Sequence, residues 1–186
     1  QWYAIERRIG QAPPIWLAVT RLTAAKLGPL FEWSQTLFAN SERQLHLFGP
    51  KQEDVNLPPW VHYHGSATAT QLSQEWFPKA HGLITLSRHA EGRPQVMLEA
   101  MAAGMPIIAS GMSAHADIVD DGVTGALVGS PQDYQRELAA LEDTATNLRM
   151  GAAARARAAR EMGTWDDCAA RYVRIYQRLL GQDGDG

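Results

Sequence analysis

Short apolar bursts alternate with longer amphipathic stretches along nearly the whole 186-residue chain. Six runs have strand length: Ile15 to Thr20 (IWLAVT), Gln44 to Phe48, Val61 to His64, Gly82 to Leu86 (GLITL), Pro106 to Ser110 (PIIAS) and Ala126 to Val128. Proline suits a first helical position, so helices are expected from about Pro29 to Ala39 and from Pro94 to about Ala103. Asn40 stops the first; Gly104 and Pro106 stop the second. Thr68 to Trp76 suits a helix ending before Pro78, and Lys51 to Pro59 reads as a polar surface loop. From Pro131 onward the pattern is helical, with segments near 133–142, 147–162 and 164–180. Strands that are apolar on both faces and alternate with helices predict an α/β fold, a Rossmann-like parallel sheet flanked by helices, with further C-terminal helices. The chain divides into a linker or N-terminal extension (1–14), one domain (15–180) and a disordered tail (181–186).

In the last helix, Trp165, Cys168, Tyr172, Ile175/Tyr176 and Leu179 recur at helical spacing, which predicts a buried stripe. Thr164 with Asp167 three residues on resembles a capping box. Arg155, Arg157 and Arg160, followed by Arg171, Arg174 and Arg178, could meet an anionic partner. The formal net charge of −3 favours a solvated face instead, and it argues against a nucleic-acid coat or a polybasic membrane anchor. The single cysteine excludes an internal disulfide. The longest uncharged run, Ala100 to Ala116, is broken by Gly104, Pro106 and Gly111, so no transmembrane segment is expected. No signal peptide precedes the fold and the chain opens on Gln1, which suggests a cut fragment of a cytoplasmic protein.

Ligands of open parallel sheets bind beyond the carboxyl ends of the strands. Two loops there carry unusual residues. Arg21 directly follows IWLAVT, and Lys26 stands just before the helix that Pro29 begins. Cations at a helix N-terminus oppose its dipole unless an anion joins them, so the pair is either an anion site or two surface charges. The second loop, Ser87 to Pro94 (SRHAEGRP), feeds a helix whose first turn has free N–H groups. Gly92 would let the backbone approach a ligand, Glu91 could reach it from the loop, and Glu99 points from the helix side. Two carboxylates near a phosphate-binding helix end suit a ligand with vicinal hydroxyls; a loop charge and a paired helix residue are the plainer alternative. His62 and His64, two apart on one strand, have half the geometry of a metal site but no third ligand nearby, so no metal is expected. His64 could instead edge the pocket or be an ordinary core or surface histidine.

The stretch EGRPQVMLEAMAAG, Glu91 to Gly104, resembles the signature of retaining glycosyltransferases of family 4, including its two glutamates separated by seven residues. The similarity continues through MPIIAS, DDGVTGALV and the closing W…Y…IY helix. VTRLTAAKLG resembles the family's Arg…Lys diphosphate loop, and YHG its short strand and glycine. The resemblance runs in order over residues 15 to 180 and implies the C-terminal, donor-binding half of a GT-B enzyme. It implies that Arg21 and Lys26 bind a nucleoside diphosphate and that Glu91 meets hydroxyls of the transferred sugar. The backbone of Gly92, Arg93, Pro94 and Gln95 would then hold phosphate and sugar oxygens, and Glu99 the ribose. It further implies a nucleotide-sugar donor and no separate cofactor. A sugar, lipid-linked or other glycosyl acceptor would be brought by an N-terminal domain outside this chain, with peripheral membrane association of the full-length enzyme left open. The alternatives are a non-catalytic flavodoxin-like nucleotide-binding or signalling module, or a GT-B epimerase or phosphorylase. The chain departs from the family pattern at SAHAD, so no role carries over to Ser113–Asp117.

Overall fold

The computed structural model describes residues 1–10, 13–89 and 92–180. Its centre is a six-stranded, all-parallel sheet formed by β1 (Ile15–Val19), β2 (Gln44–Phe48), β3 (Val61–Tyr63), β4 (Gly82–Thr85), β5 (Ile107–Ser110) and β6 (Gly125–Val128). The strand order is β3-β2-β1-β4-β5-β6, so it reverses between β1 and β4. Alternate residues of the inner strands enter two separate cores, which is why β1, β4 and β5 read as nearly unbroken apolar runs. Trp16, Ala18, Leu45, Leu47, Ile84 and Ile108 face helices α2 (Leu30–Phe38) and α6 (Pro131–Ala140). Leu17, Phe48, Leu83, Ile107 and Ala109 face α4 (Gln95–Ala102) and the end of α7 (Thr144–Arg157).

Three short elements were not legible as periodic segments: a 3-10 turn at Trp2–Ala4, α1 (Ala24–Leu27) and α5 (Ser113–Ala116). The predicted Thr68–Trp76 helix forms as α3 (Ala69–Gln71), closed by a Thr68–Gln71 capping box and continued by a π-helical turn over Leu72–Trp76. Pro29 and Pro94 are N-caps and not first helical residues; each helix starts one residue later.

Two expectations are overturned in the C-terminal helices. Helix α8 (Trp165–Leu179) starts at the predicted capping box, but it has no buried residue. Trp165 is 85% exposed and Leu179 76%, with Tyr172, Ile175 and Tyr176 also exposed. The apolar period is real, but of its positions only Cys168 is even half-buried. Arg155 and Arg157 form neither an anion site nor a solvated face. Arg155 donates to the carbonyls of Ile5 and Ala103, each at 2.6 Å. Arg157 donates to Ile118 O at 2.9 Å and pairs with Asp120 and Glu161. Both serve as clamps on chain ends that have no ladder partner.

The stretch read as a linker packs on the domain over its described part: Ile5 and Ile9 are buried, and Trp2 lies 5.0 Å from the Phe77 ring. Arg7 donates to Gly104 O, Ala80 O and Asn147 Oδ1, so it ties the ends of α4 and the π-turn segment to α7. Residues 181–186, expected to be a disordered tail, lie outside the described residues. No helix of the described residues is long and apolar enough to cross a membrane.

Candidate functional site

Because β1 and β4 are neighbours at the point of reversal, the loops at their carboxyl ends face one another across a crevice. These loops are in direct contact. Arg88 N–H donates to Ala25 O at 2.8 Å, and a Cβ on Gly28 would stand 2.0 Å from Leu86 O. Gly28 has φ +52, so both its backbone and this approach require glycine.

Arg21 is exposed at the carboxyl end of β1. Its backbone is fixed from both sides: Thr20 N–H donates to Phe48 O and Leu22 N–H to Pro50 O, each at 2.9 Å. Lys26 does not stand in a loop before α2. It occupies the last turn of the one-turn helix α1, capped by Thr23 and followed by Gly28, where the helix dipole favours a cation. At the opposite, N-terminal end of α1, the carboxylate of Glu53 accepts Ala24 N–H through Oε2 at 2.7 Å. The electrostatic argument that two cations oppose a helix start therefore does not hold for Lys26. Thr23 before AAKL and glycine after it are ordinary start and stop signals, so α1 was legible in principle. Glu53, in a polar loop twenty-nine residues along the chain from Ala24, had no local signal.

Glu91 lies outside the described residues. Around Gly92 a Cβ would meet nothing within 4 Å, so the backbone there borders open space. Arg93 and Gln95 are exposed and Pro94 half-buried; α4 has no side-chain cap, and its first-turn N–H groups face the same loop. Glu99 is half-buried one turn further on, and Gln95 Nε2 donates to its Oε1 at 3.1 Å. Burial raises the Glu99 carboxyl above its ordinary range, with the Gln95 bond opposing the shift. Arg93, Gln95 and Glu99 share a cavity of about 470 Å³ with Trp2, Tyr3 and the first turn of α8. Arg21 and Lys26 are not among its lining residues, so the predicted set is split between the crevice and this cavity.

A sequence profile of the family described as Glycosyl transferases group 1 matches residues 17–144. The chain belongs to that family. A D-inositol 3-phosphate glycosyltransferase of Streptomyces scabiei is 37% identical over 109 residues, covering 57% of this chain and 24% of that protein. The chain thus spans about a quarter of the length of such relatives. Among solved structures, S. aureus TarM, in a complex that includes UDP, superposes with a TM-score of 0.78 at 18% identity, covering 95% of this chain and 38% of that one. Anabaena HepE, in complex with UDP and glucose, gives a TM-score of 0.72 at 19% identity, covering 91% and 49%. At these identities the likeness concerns the fold: this glycosyltransferase domain has the Rossmann-like half of a GT-B architecture.

The histidine pair His62/His64 does have a third histidine beside it. His46, buried on β2, stacks on both rings, at 4.8 Å from His62 and 5.1 Å from His64. Register explains it, since His46 is the direct partner of His62 across β2–β3. Among the described residues no group of three His, Cys, Asp or Glu side chains is placed to hold a metal.

Proposed function

We propose that this domain binds the nucleoside-diphosphate-sugar donor of a retaining glycosyltransferase, and that the parent enzyme transfers the sugar to an acceptor. The observation that carries the reading is Arg21, its backbone held between Phe48 O and Pro50 O at the switch point, within the segment that matches the family profile. In this reading Arg21 and Lys26 meet the diphosphate, and the backbone from Gly92 to Gln95 meets phosphate and sugar oxygens. Glu91 takes sugar hydroxyls and Glu99 the ribose. Fixed positive charge where the leaving diphosphate develops its charge would be the domain's contribution to catalysis. The site needs no separate cofactor, since the donor carries the reacting bond. UDP and glucose are in the HepE complex and UDP in the TarM complex, which makes UDP-sugars the first donors to test.

Arg21→Ala is expected to weaken UDP binding by about 1.5–3 kcal/mol, the range for hydrogen bonds to a charged group. Titration calorimetry decides it; unchanged affinity removes Arg21 from the diphosphate. The two glutamates should separate by ligand. Glu99→Ala is expected to weaken UDP and UDP-glucose alike, because both contain the ribose. Glu91→Ala should hurt UDP-glucose more, and equal losses on both ligands would end that division of labour.

The acceptor belongs to a part of the enzyme outside this chain. The uncovered apolar face of α8 supports this reading, because a helix with exposed Trp165, Tyr172, Ile175 and Leu179 is built to be covered. The domain alone is expected to bind donor without transferring sugar, since proximity of the second reactant is a separate contribution of about 7–11 kcal/mol at best. Robust transfer by these 186 residues would overturn the half-enzyme reading.

A further inference from the structure

The stacked histidines lie on the β2–β3 edge, outside the donor site, and the proposed function leaves them unused. With Gln44 Oε1 as its neighbour at 3.0 Å, His46 Nε2 carries a proton and donates it there. His46 Nδ1 is then an acceptor, and His64 Nε2–H donates to it at 2.9 Å. The one lone pair of His46 is therefore taken up by the His64 N–H, and the His62 ring lies nearly parallel to His46 at 4.8 Å.

His64 is also fixed by its faces. It stacks on Phe48 at 4.6 Å and lies 4.8 Å from Trp76. The next residue, Gly65, accepts the Gly49 N–H at 2.7 Å, and Tyr63 OH donates to Gly49 O at 2.9 Å. Gly49 is thereby gripped from β3 on both its polar groups. Its backbone abuts Thr20 and Arg21 so closely that a Cβ there would stand 1.7 Å from Thr20 O and 3.4 Å from Arg21 N. Phe48 O and Pro50 O, on either side of Gly49, are the two acceptors that hold the chain around Arg21. A continuous path of hydrogen bonds and backbone contact thus joins His46–His64 to the proposed diphosphate cation.

We propose that the His46–His64 pair is a positioning element for Arg21, and that protonation of both rings releases it and weakens nucleoside-diphosphate-sugar binding. The proposal rests on the reading that Arg21 meets the diphosphate. A first proton can be kept within the pair, since His64 can carry its own proton on Nδ1 and accept from His46; with both rings protonated, two N–H groups face each other and the bond is lost. The charged groups acting on His46 are His62 and His64 from β3 and Lys79 beyond the π-turn, and all are positive when protonated. Burial, followed by these charges, pushes the His46 pKa down to about 4, and burial lowers His64 as well. The sign follows: the closed arrangement binds protons less readily than an open one. It is fully present above the ordinary histidine range and is lost as pH falls toward 4.

The test uses UDP-glucose, whose diphosphate has no proton that titrates between pH 7.5 and 4.5, and two variants. His46→Asn puts an amide oxygen where Nδ1 stands and accepts from His64 at every pH. His46→Leu removes the acceptor altogether. In the parent, UDP-glucose affinity should fall at least tenfold from pH 7.5 to 4.5. In His46→Asn it should fall much less, and in His46→Leu it should already be weak at pH 7.5. Glu99 titrates in all three proteins, so the difference between them carries the result. In parallel, amide exchange of Gly49, corrected for its intrinsic rate, should accelerate at least tenfold toward pH 4.5 in the parent and not in His46→Asn. Equal pH profiles in parent and His46→Asn, or a Gly49 amide equally protected at both pH values, overturn the proposal. Absence of UDP-glucose binding at pH 7.5 in the parent counts instead against the donor-site reading, while Gly49 exchange still judges the latch.

Discussion

Arg7→Ala is expected to remove about 3–5 kcal/mol of unfolding free energy, because several buried acceptors lose the half-buried guanidinium that satisfies them together. Its guanidinium spans Gly104 O at 2.5 Å, Ala80 O at 2.6 Å and Asn147 Oδ1 at 3.0 Å. Asn147 is itself buried and donates to His81 O and Leu141 O, so the loss would spread into α7. Burial, helped by the neighbouring Arg155, pushes the Arg7 pKa down to about 10, yet it stays charged at neutral pH. Relief of that repulsion would return only a small part of the loss. Arg7→Lys should recover little, since one ammonium cannot reproduce the planar fork between Gly104 and Ala80. Urea unfolding monitored by circular dichroism gives the number. A change under about 1 kcal/mol would mean that water replaces the guanidinium without cost.

Gly49→Ala should cost about 2–6 kcal/mol, from positive-φ strain of about 1–3 kcal/mol and overpacking of similar size. Gly49 has φ 135, and the added methyl would fall 1.7 Å from a main-chain oxygen that cannot rotate away. The displaced atom belongs to Thr20, the residue before Arg21, so UDP affinity should fall along with stability. Gly65→Ala is the useful comparison. It also has positive φ, but a Cβ there meets nothing within 4 Å, so only the strain applies. If both variants lose the same stability, close approach at Gly49 is not what demands glycine.

The division of the site between crevice and cavity has a bearing on the parent enzyme. Arg93, Gln95 and Glu99 open onto a space shared with Trp2 and the start of α8, while Arg21 opens onto the switch point. In the proposed function a donor must meet both. Its ribose end would lie by Glu99 and its diphosphate by Arg21, with the loop over α4 between them.

The strands were legible because burial on both faces leaves a mark that is local in sequence: β1, β4 and β5 are apolar almost throughout. Helix limits were nearly as clear, since Pro and Gly act through their own backbone and Thr and Ser through side-chain caps on N–H groups three residues on. The two prolines were misplaced by one residue because the N-cap and the first helical position both tolerate a fixed φ. The family signature from Glu91 to Gly104 was legible in its motif, and the family profile matches residues 17–144.

The apolar period of α8 was equally plain in the sequence, yet periodicity reports only that a face is suited to burial. Whether another surface covers it is decided by neighbours that the period does not contain, and the exposed Trp165 and Leu179 show the difference. Arg7, Arg155 and Arg157 illustrate the same limit for charge, because an arginine bound to backbone carbonyls looks in sequence like any solvated arginine. So does Glu53, which caps a helix twenty-nine residues upstream. The sequence by itself determined the alternation of elements, the strand cores, the caps and the family signature, because each is encoded in contacts between residues close along the chain. Only the tertiary structure decided the strand order that makes the crevice, the partners of the buried arginines and the meeting of His46 with His64. Those depend on which distant segments pack together, and pairing across β2–β3 brings residues eighteen apart to 2.9 Å without leaving a local pattern.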